Sequence, residues 1–151
     1  VVIISDIIET QGQLMKFIRE KITNHPQLSD MIYEAYPEQS EKDPKFPYIV
    51  YDIDNDYIPE GLISRSTLVI DIYDYSPDLS RTYLLRGYII QIFDKLKTSI
   101  PGISFARFFK RVDTAVPEQD EHVRHRTMQF EIRYDRKVEL NQILRRGDND
   151  G

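Results

Sequence analysis

Three kinds of residue in this chain could do chemistry: carboxylates at calcium-loop spacing, a few histidines, and glycines at turns. Asp52-Ile53-Asp54-Asn55-Asp56 opens like a calcium loop, whose alternating oxygens would wrap a hard cation. Tyr57 stands where that turn needs glycine, and Ile63 where it needs a bidentate glutamate, so the segment reads as a strand end and a polar turn. His122 and His125 are spaced like a metal pair on paper. On a strand, residues three apart face opposite ways, and no third ligand stands at usable spacing. With His25 they complete the three histidines, and no serine nucleophile lies near any of them in a signature setting. Gly12, Gly61, Gly87 and Gly102 stand singly, which makes no phosphate-cradling loop. Asp71 and Asp74 fall on a strand at spacing that reads as solvated. The chain has no cysteine, which removes disulfides, thiolate nucleophiles and Cys-ligated metal, and suits a reducing compartment. The expectation is a protein that is not an enzyme, with no catalytic residue, cofactor or metal.

Two patterns point to binding. The chain has ten tyrosines, and Tyr48, Tyr51, Tyr73 and Tyr75 fall on what read as outer faces of strands. Tyrosine suits interfaces because it joins a large apolar area to a hydrogen-bonding tip, although core or rim tyrosines in a small sheet fit the same pattern. The second pattern is a basic strand pair, with Arg107, Lys110 and Arg111 on one strand and Arg124, Arg126, Arg133 and Arg136 on the next. These cations either offset Asp113, Glu118, Asp120 and Glu121 of their own connecting loop or meet an acidic neighbour.

The elements that must position these groups follow from periodicity. From Asp6 to Thr23, Ile7, Leu14, Ile18 and Ile22 recur at helical spacing, with Ser5 or Asp6 as cap and Asn24-His25-Pro26 as stop. Met31–Tyr36 is a short candidate strand, and 37–47 a polar loop. Tyr48–Ile53 and Ser66–Tyr75 read as strands, with Leu68, Ile70 and Ile72 on one face and Asp71 and Tyr73 on the other. Residues 54–61 form a turn. Ser76-Pro77-Asp78 starts a second helix whose stripe is Leu85, Tyr88, Ile89, Ile92, Phe93 and Leu96, ending near Ser99. Two strands follow, Ile103–Val112 and His122–Arg136, joined by a projecting loop over 113–121. The resulting expectation is α+β: a mostly antiparallel curved sheet of four to five strands with two long amphipathic helices packed on it. Residues 1–137 read as one domain and 138–151 as a charged, flexible tail.

Apolar residues make up 40% and charged residues 30% of 151, an ordinary globular composition. No run approaches the roughly 18 apolar residues of a bilayer span, so no membrane partner is expected. No basic stretch precedes Val1–Ile4, so a signal peptide is not expected either. The net charge of −5 is uneven: residues 1–75 carry −8 and residues 76–151 carry +3. Such asymmetry either solvates two faces or pairs one copy with a neighbour. Tight wrapping of nucleic acid would call for a basic domain.

In its element order the chain resembles the tail terminator (tail completion) proteins of long-tailed bacteriophages. The resemblance spans most of residues 6–137. It rests on FPYIVYDI (Phe46 to Ile53), VIDIYDYS (Val69 to Ser76) leading into LSRTYLLRGYIIQIFDKL (Leu79 to Leu96), Pro101-Gly102-Ile103, and FEIRYDR (Phe130 to Arg136). It implies a structural virion protein: a homo-hexameric ring that caps the tail tube protein and joins it to the head–tail connector protein. It places the chain in the tail or neck of a virion, assembled in the host cytoplasm. DNA would pass through the lumen without specific binding, eased by acidic residues of the first half. Loops 37–47 and 113–121 would dock partners. The competing readings are another head–tail neck adaptor, a small enzyme with an unrecognised site, and a nucleic-acid-binding domain using the basic hairpin.

Overall fold

The computed structural model describes residues 4–38, 42–54 and 63–135. Helix α1 (Ile4–Asn24) buries Leu14, Phe17, Ile18 and Ile22, the stripe its spacing dictates. It stops where His25 turns extended, and the short helix α2 (Pro26–Met31) begins at once. Pro26 is suited to that first turn because its missing N–H would have no helical partner there. The His25 ring caps α2, its Nδ1 accepting from the Leu28 N–H at 3.1 Å. His25 is thus a structural residue.

The strands are β1 (Glu34–Pro37), β2 (Tyr48–Asp54), β3 (Ile63–Tyr75), β4 (Lys97–Ile100), β5 (Ile103–Val116) and β6 (Val123–Asp135), with helix α3 (Ser80–Phe93) between β3 and β4. They form one curled sheet in the order β1-β2-β3-β6-β5-β4. All neighbours pair antiparallel except β1 and β2, which are parallel. The architecture is α+β as expected, but with six strands and three helices. The extra strand is β4. The apolar stripe predicts helix as far as Ser99, whereas the chain leaves the helical region at Asp94 and takes φ 62° at Lys95. Leu96 still packs on the core from the turn, which is why it continued the pattern. The edge strands β1 and β4 have four residues each, too short to show a clear period.

Both long helices lie on one face of the sheet. Alternation sends Ile49, Tyr51 and Ile53 of β2, Leu68, Ile70 and Ile72 of β3, and Met128, Phe130 and Ile132 of β6 to that face. Phe108 of β5 sits at the centre, its ring 6.0 Å from Phe17 of α1 and 5.9 Å from Phe93 of α3. Each such buried aromatic contributes about 1.5–3 kcal/mol of transfer free energy.

Asp74 and Asp113 correct two expectations. Asp74, read as solvated, has a fully buried side chain that accepts from Arg81 Nε at 2.8 Å and from the Tyr75 N–H. Asp113, read as the start of a projecting loop, belongs to β5, which continues to Val116. Pairing jumps from Lys110↔Phe130 to Val112↔Gln129, so Arg111 is bulged out of register. The bulge shifts the alternation by one and turns Asp113 toward the helices. There it meets Arg86 of α3 and Arg126 of β6, each at 2.5 Å, and Lys110 at 3.7 Å. Without the bulge, Lys110 and Asp113, three apart, would face opposite ways.

The segments 55–62 and 136–151, residues 39–41 and the first three residues lie outside the described residues. So do the turn at 54–61 beyond Asp54, the centre of the 37–47 loop, Arg136, the 138–151 tail, and the side chains of Ser5 and Asp6.

Candidate docking surface

The face of the sheet opposite the helices carries the side chains of interest. Its first zone is an aromatic row made by register. Tyr48 of β2 is paired with Tyr73 of β3, and Tyr73 with His125 of β6. The Tyr48 and Tyr73 rings stack at 4.8 Å, and Tyr73 and His125 at 4.1 Å; Tyr36 of β1 abuts Tyr48 edge-on at 6.0 Å. Cross-strand aromatic pairs of this kind stabilise a sheet by about 0.2–1 kcal/mol each. Phe46 and Tyr75 extend the row outward, Phe46 lying 5.3 Å from Tyr48 and 5.9 Å from Tyr75, with His122 5.7 Å from Tyr75.

His125 ends the row in a pair of hydrogen bonds. Its Nε2 lies 2.7 Å from Asp71 Oδ1 and its Nδ1 2.7 Å from Glu118 Oε1. Carboxylates accept, so both nitrogens donate when the ring is protonated, the form this geometry favours. Burial pulls its pKa down, but hydrogen bonds and charge from Asp71 and Glu118 outweigh that and hold it above the ordinary 6.5. The Tyr73 hydroxyl is pushed up to about 12, first by burial and then by the neighbouring Asp71 charge. A catalytic histidine keeps one nitrogen free for the proton it moves; here each nitrogen is held by a carboxylate. The same blockage denies a metal its lone pair, and among the described residues no group of three or more His, Cys, Asp or Glu could hold one.

The second zone lies toward the other end of β5 and β6. Glu131 accepts from Arg111 at 2.8 Å and Arg133 at 2.9 Å, with Arg65 3.7 Å away. Burial would raise the Glu131 pKa, but the Arg111 hydrogen bond, first among the causes, and the Arg133 charge hold its carboxyl below the ordinary range. Phe109 lies under two guanidiniums, Arg111 at 5.6 Å and Arg133 at 5.3 Å from its ring centre.

The residues singled out from sequence are scattered by this geometry. Tyr48 and Tyr73 stack on the sheet face opposite the helices, where Tyr48 is nonetheless buried, and Tyr75 is half exposed at its margin. Tyr51 is not on an outer face: it is 2% exposed in the core, because three residues from Tyr48 is the wrong phase. The basic strand pair does not form one patch. Lys110 and Arg126 turn to the helix side and neutralise Asp113. Arg124 donates to the carbonyls of Ser76 and Pro77, fixing the start of the α3 connection. Arg107, Arg111 and Arg133 remain on the open face. Glu118 binds His125, while Asp120 and Glu121 are exposed at the turn. The Asp71–His125–Glu118 group was missed because its partners come from a sheet register that no local spacing encodes.

A cavity of about 410 Å³ lies between the first turn of α3 and the β5–β6 hairpin. Leu79, Thr82, Tyr83, Val116 and Arg124 line it, with Leu79 and Tyr83 exposed. On its charged rim Glu118, Arg124, His125 and Arg126 are engaged in the pairs above, while Asp120 and Glu121 are exposed.

No family model and no curated protein matches the chain. Among solved structures, the fold is similar to a chain from the virion of a native gene transfer agent (GTA) particle, with a TM-score of 0.64. That likeness covers 77% of this chain and 90% of the other at 9% sequence identity, so it is a likeness of fold. Among the described residues no helix is long and apolar enough to cross a membrane.

Proposed function

We propose that this chain is a structural subunit of a phage-like virion, specifically a tail terminator: a ring of copies that caps the tail tube and joins it to the head connector. One observation supports the reading above the others: nine tenths of a virion chain shares this fold. The element order noted in the sequence points the same way. The groups that could do chemistry are engaged in structural pairs, with both nitrogens of His125 hydrogen-bonded and Asp113 held by three cations. What the surface offers is exposed rings, Phe46 and Tyr75, at the margin of a sheet face that also carries charges, suited to matching another protein surface. The ring is a homo-hexamer, its neighbours are the tube and connector proteins, and DNA passes through its lumen.

The test is to add the purified chain to polymerising tail-tube subunits. A terminator arrests growth and is found at one end of each tube. Tubes that lengthen unchanged, with no chain bound at an end, would refute the terminator reading; binding only to the connector would favour another neck adaptor.

A further inference from the structure

The strand register aligns four cations across the open face. Arg65 of β3 is paired with Arg133 of β6, Arg133 with Arg107 of β5, and Arg107 with Lys97 of β4. All four side chains are exposed. With strands about 4.8 Å apart, the row is about 14 Å long. Like charges directly opposite each other disfavour a sheet, so such a row opposes folding unless something answers it. Glu131 is one carboxylate shared by Arg65, Arg111 and Arg133, and no ion pair reaches Arg107 or Lys97 among the described residues.

The other end of the same hairpin has the opposite sign. Its turn exposes Asp120 and Glu121, beside Glu118, whose carboxylate is held by His125. Nine residue steps along the strand separate Arg107 from Val116, about 30 Å. Screening confines such charges to about 8–10 Å, so the turn cannot neutralise the row of its own molecule. It can reach the row of a second one.

We infer that copies of this chain join head to tail, the acidic β5–β6 turn of one seating on the Lys97–Arg107–Arg133–Arg65 row of the next. This rests on the self-assembly part of the function proposed above. The two patches differ, so the contact is heterologous: it repeats from copy to copy and closes into a ring when the rotation fits. A second copy fits the row better than a nucleic acid does, because the chain carries −5 overall and has an exposed acidic turn of opposite sign to the row.

The absence of cysteine makes the contact directly readable. Glu121→Cys and Arg107→Cys chains are prepared separately and treated with a short bismaleimide, alone and mixed. The contact predicts a cross-linked dimer in the mixture, none in either variant alone, and a ladder from the double variant. Raising the salt concentration should weaken the product. Lys97→Glu with Arg107→Glu should weaken association at least about tenfold, and adding Asp120→Lys with Glu121→Lys in the same chain should restore it. Copies that associate by mass yet never cross-link between 107 and 121 would overturn this contact and leave self-assembly standing. Chains that stay monomeric and uncross-linked would overturn both. Salt-sensitive binding of a DNA duplex that needs Arg107 and ignores the turn substitutions would assign the row to a polyanion and overturn it too.

Discussion

The His125 ring lies face to face with Tyr73, 4.1 Å between centres, while its two nitrogens are held by carboxylates from two different segments, Asp71 of β3 and Glu118 of the hairpin turn. One ring thus ties the turn to the middle of the sheet.

The pH dependence follows in sign. The folded-state pKa of His125 is raised above 6.5, so its contribution is complete below 6.5 and is lost as pH rises through the folded value. The unfolding free energy, read by denaturant titration, should fall over that window in the native chain. In His125→Gln the fall should disappear. An equal fall in both proteins would place the titrating group elsewhere.

Asp113 should behave in the opposite sense. Burial would raise its carboxyl pKa, but hydrogen bonds from Arg86 and Arg126 outweigh that and hold it below 3.8. Its contribution is therefore present above 3.8 and is lost as pH falls through the folded value. Asp113→Asn leaves Arg86 and Arg126 facing each other without a counter-charge, and should cost about 2–4 kcal/mol at neutral pH. Denaturant unfolding reads this directly, and a loss under about 0.5 kcal/mol would show the cluster to be idle.

Gly12 and Gly87 are exposed within α1 and α3, and a Cβ at either would meet no atom within 4 Å. Gly12→Ala and Gly87→Ala should each stabilise the fold by about 0.5–1 kcal/mol, chiefly by restricting the unfolded chain. Thermal melts check this. A lowered melting temperature would mean that the helix backbone there is not regular.

Legibility in the sequence tracked the range of the interaction. Helix α1 was readable because Leu14, Ile18 and Ile22 repeat along one face, and β3 because Leu68, Ile70 and Ile72 alternate with Asp71 and Tyr73. Residues governed by pairing between strands were not. Tyr51 and Tyr48 look alike locally, yet only strand phase sends one to the core and the other to the aromatic row. Asp113 reads as a loop acid because nothing local signals the bulge at Arg111 that turns it inward. The basic hairpin was visible as composition, but its division into neutralised cations and an exposed row depends on the β3–β6–β5–β4 register.

The central claim is that this chain acts by matching surfaces with its own copies and with neighbouring subunits. Its most direct test is the mass and shape of the purified protein, alone and with tail-tube subunits, by light scattering and negative-stain imaging. Closed six-membered rings, free or assembled on tube ends, are the predicted result. A monomer that remains monomeric at high concentration and ignores the tube would contradict it.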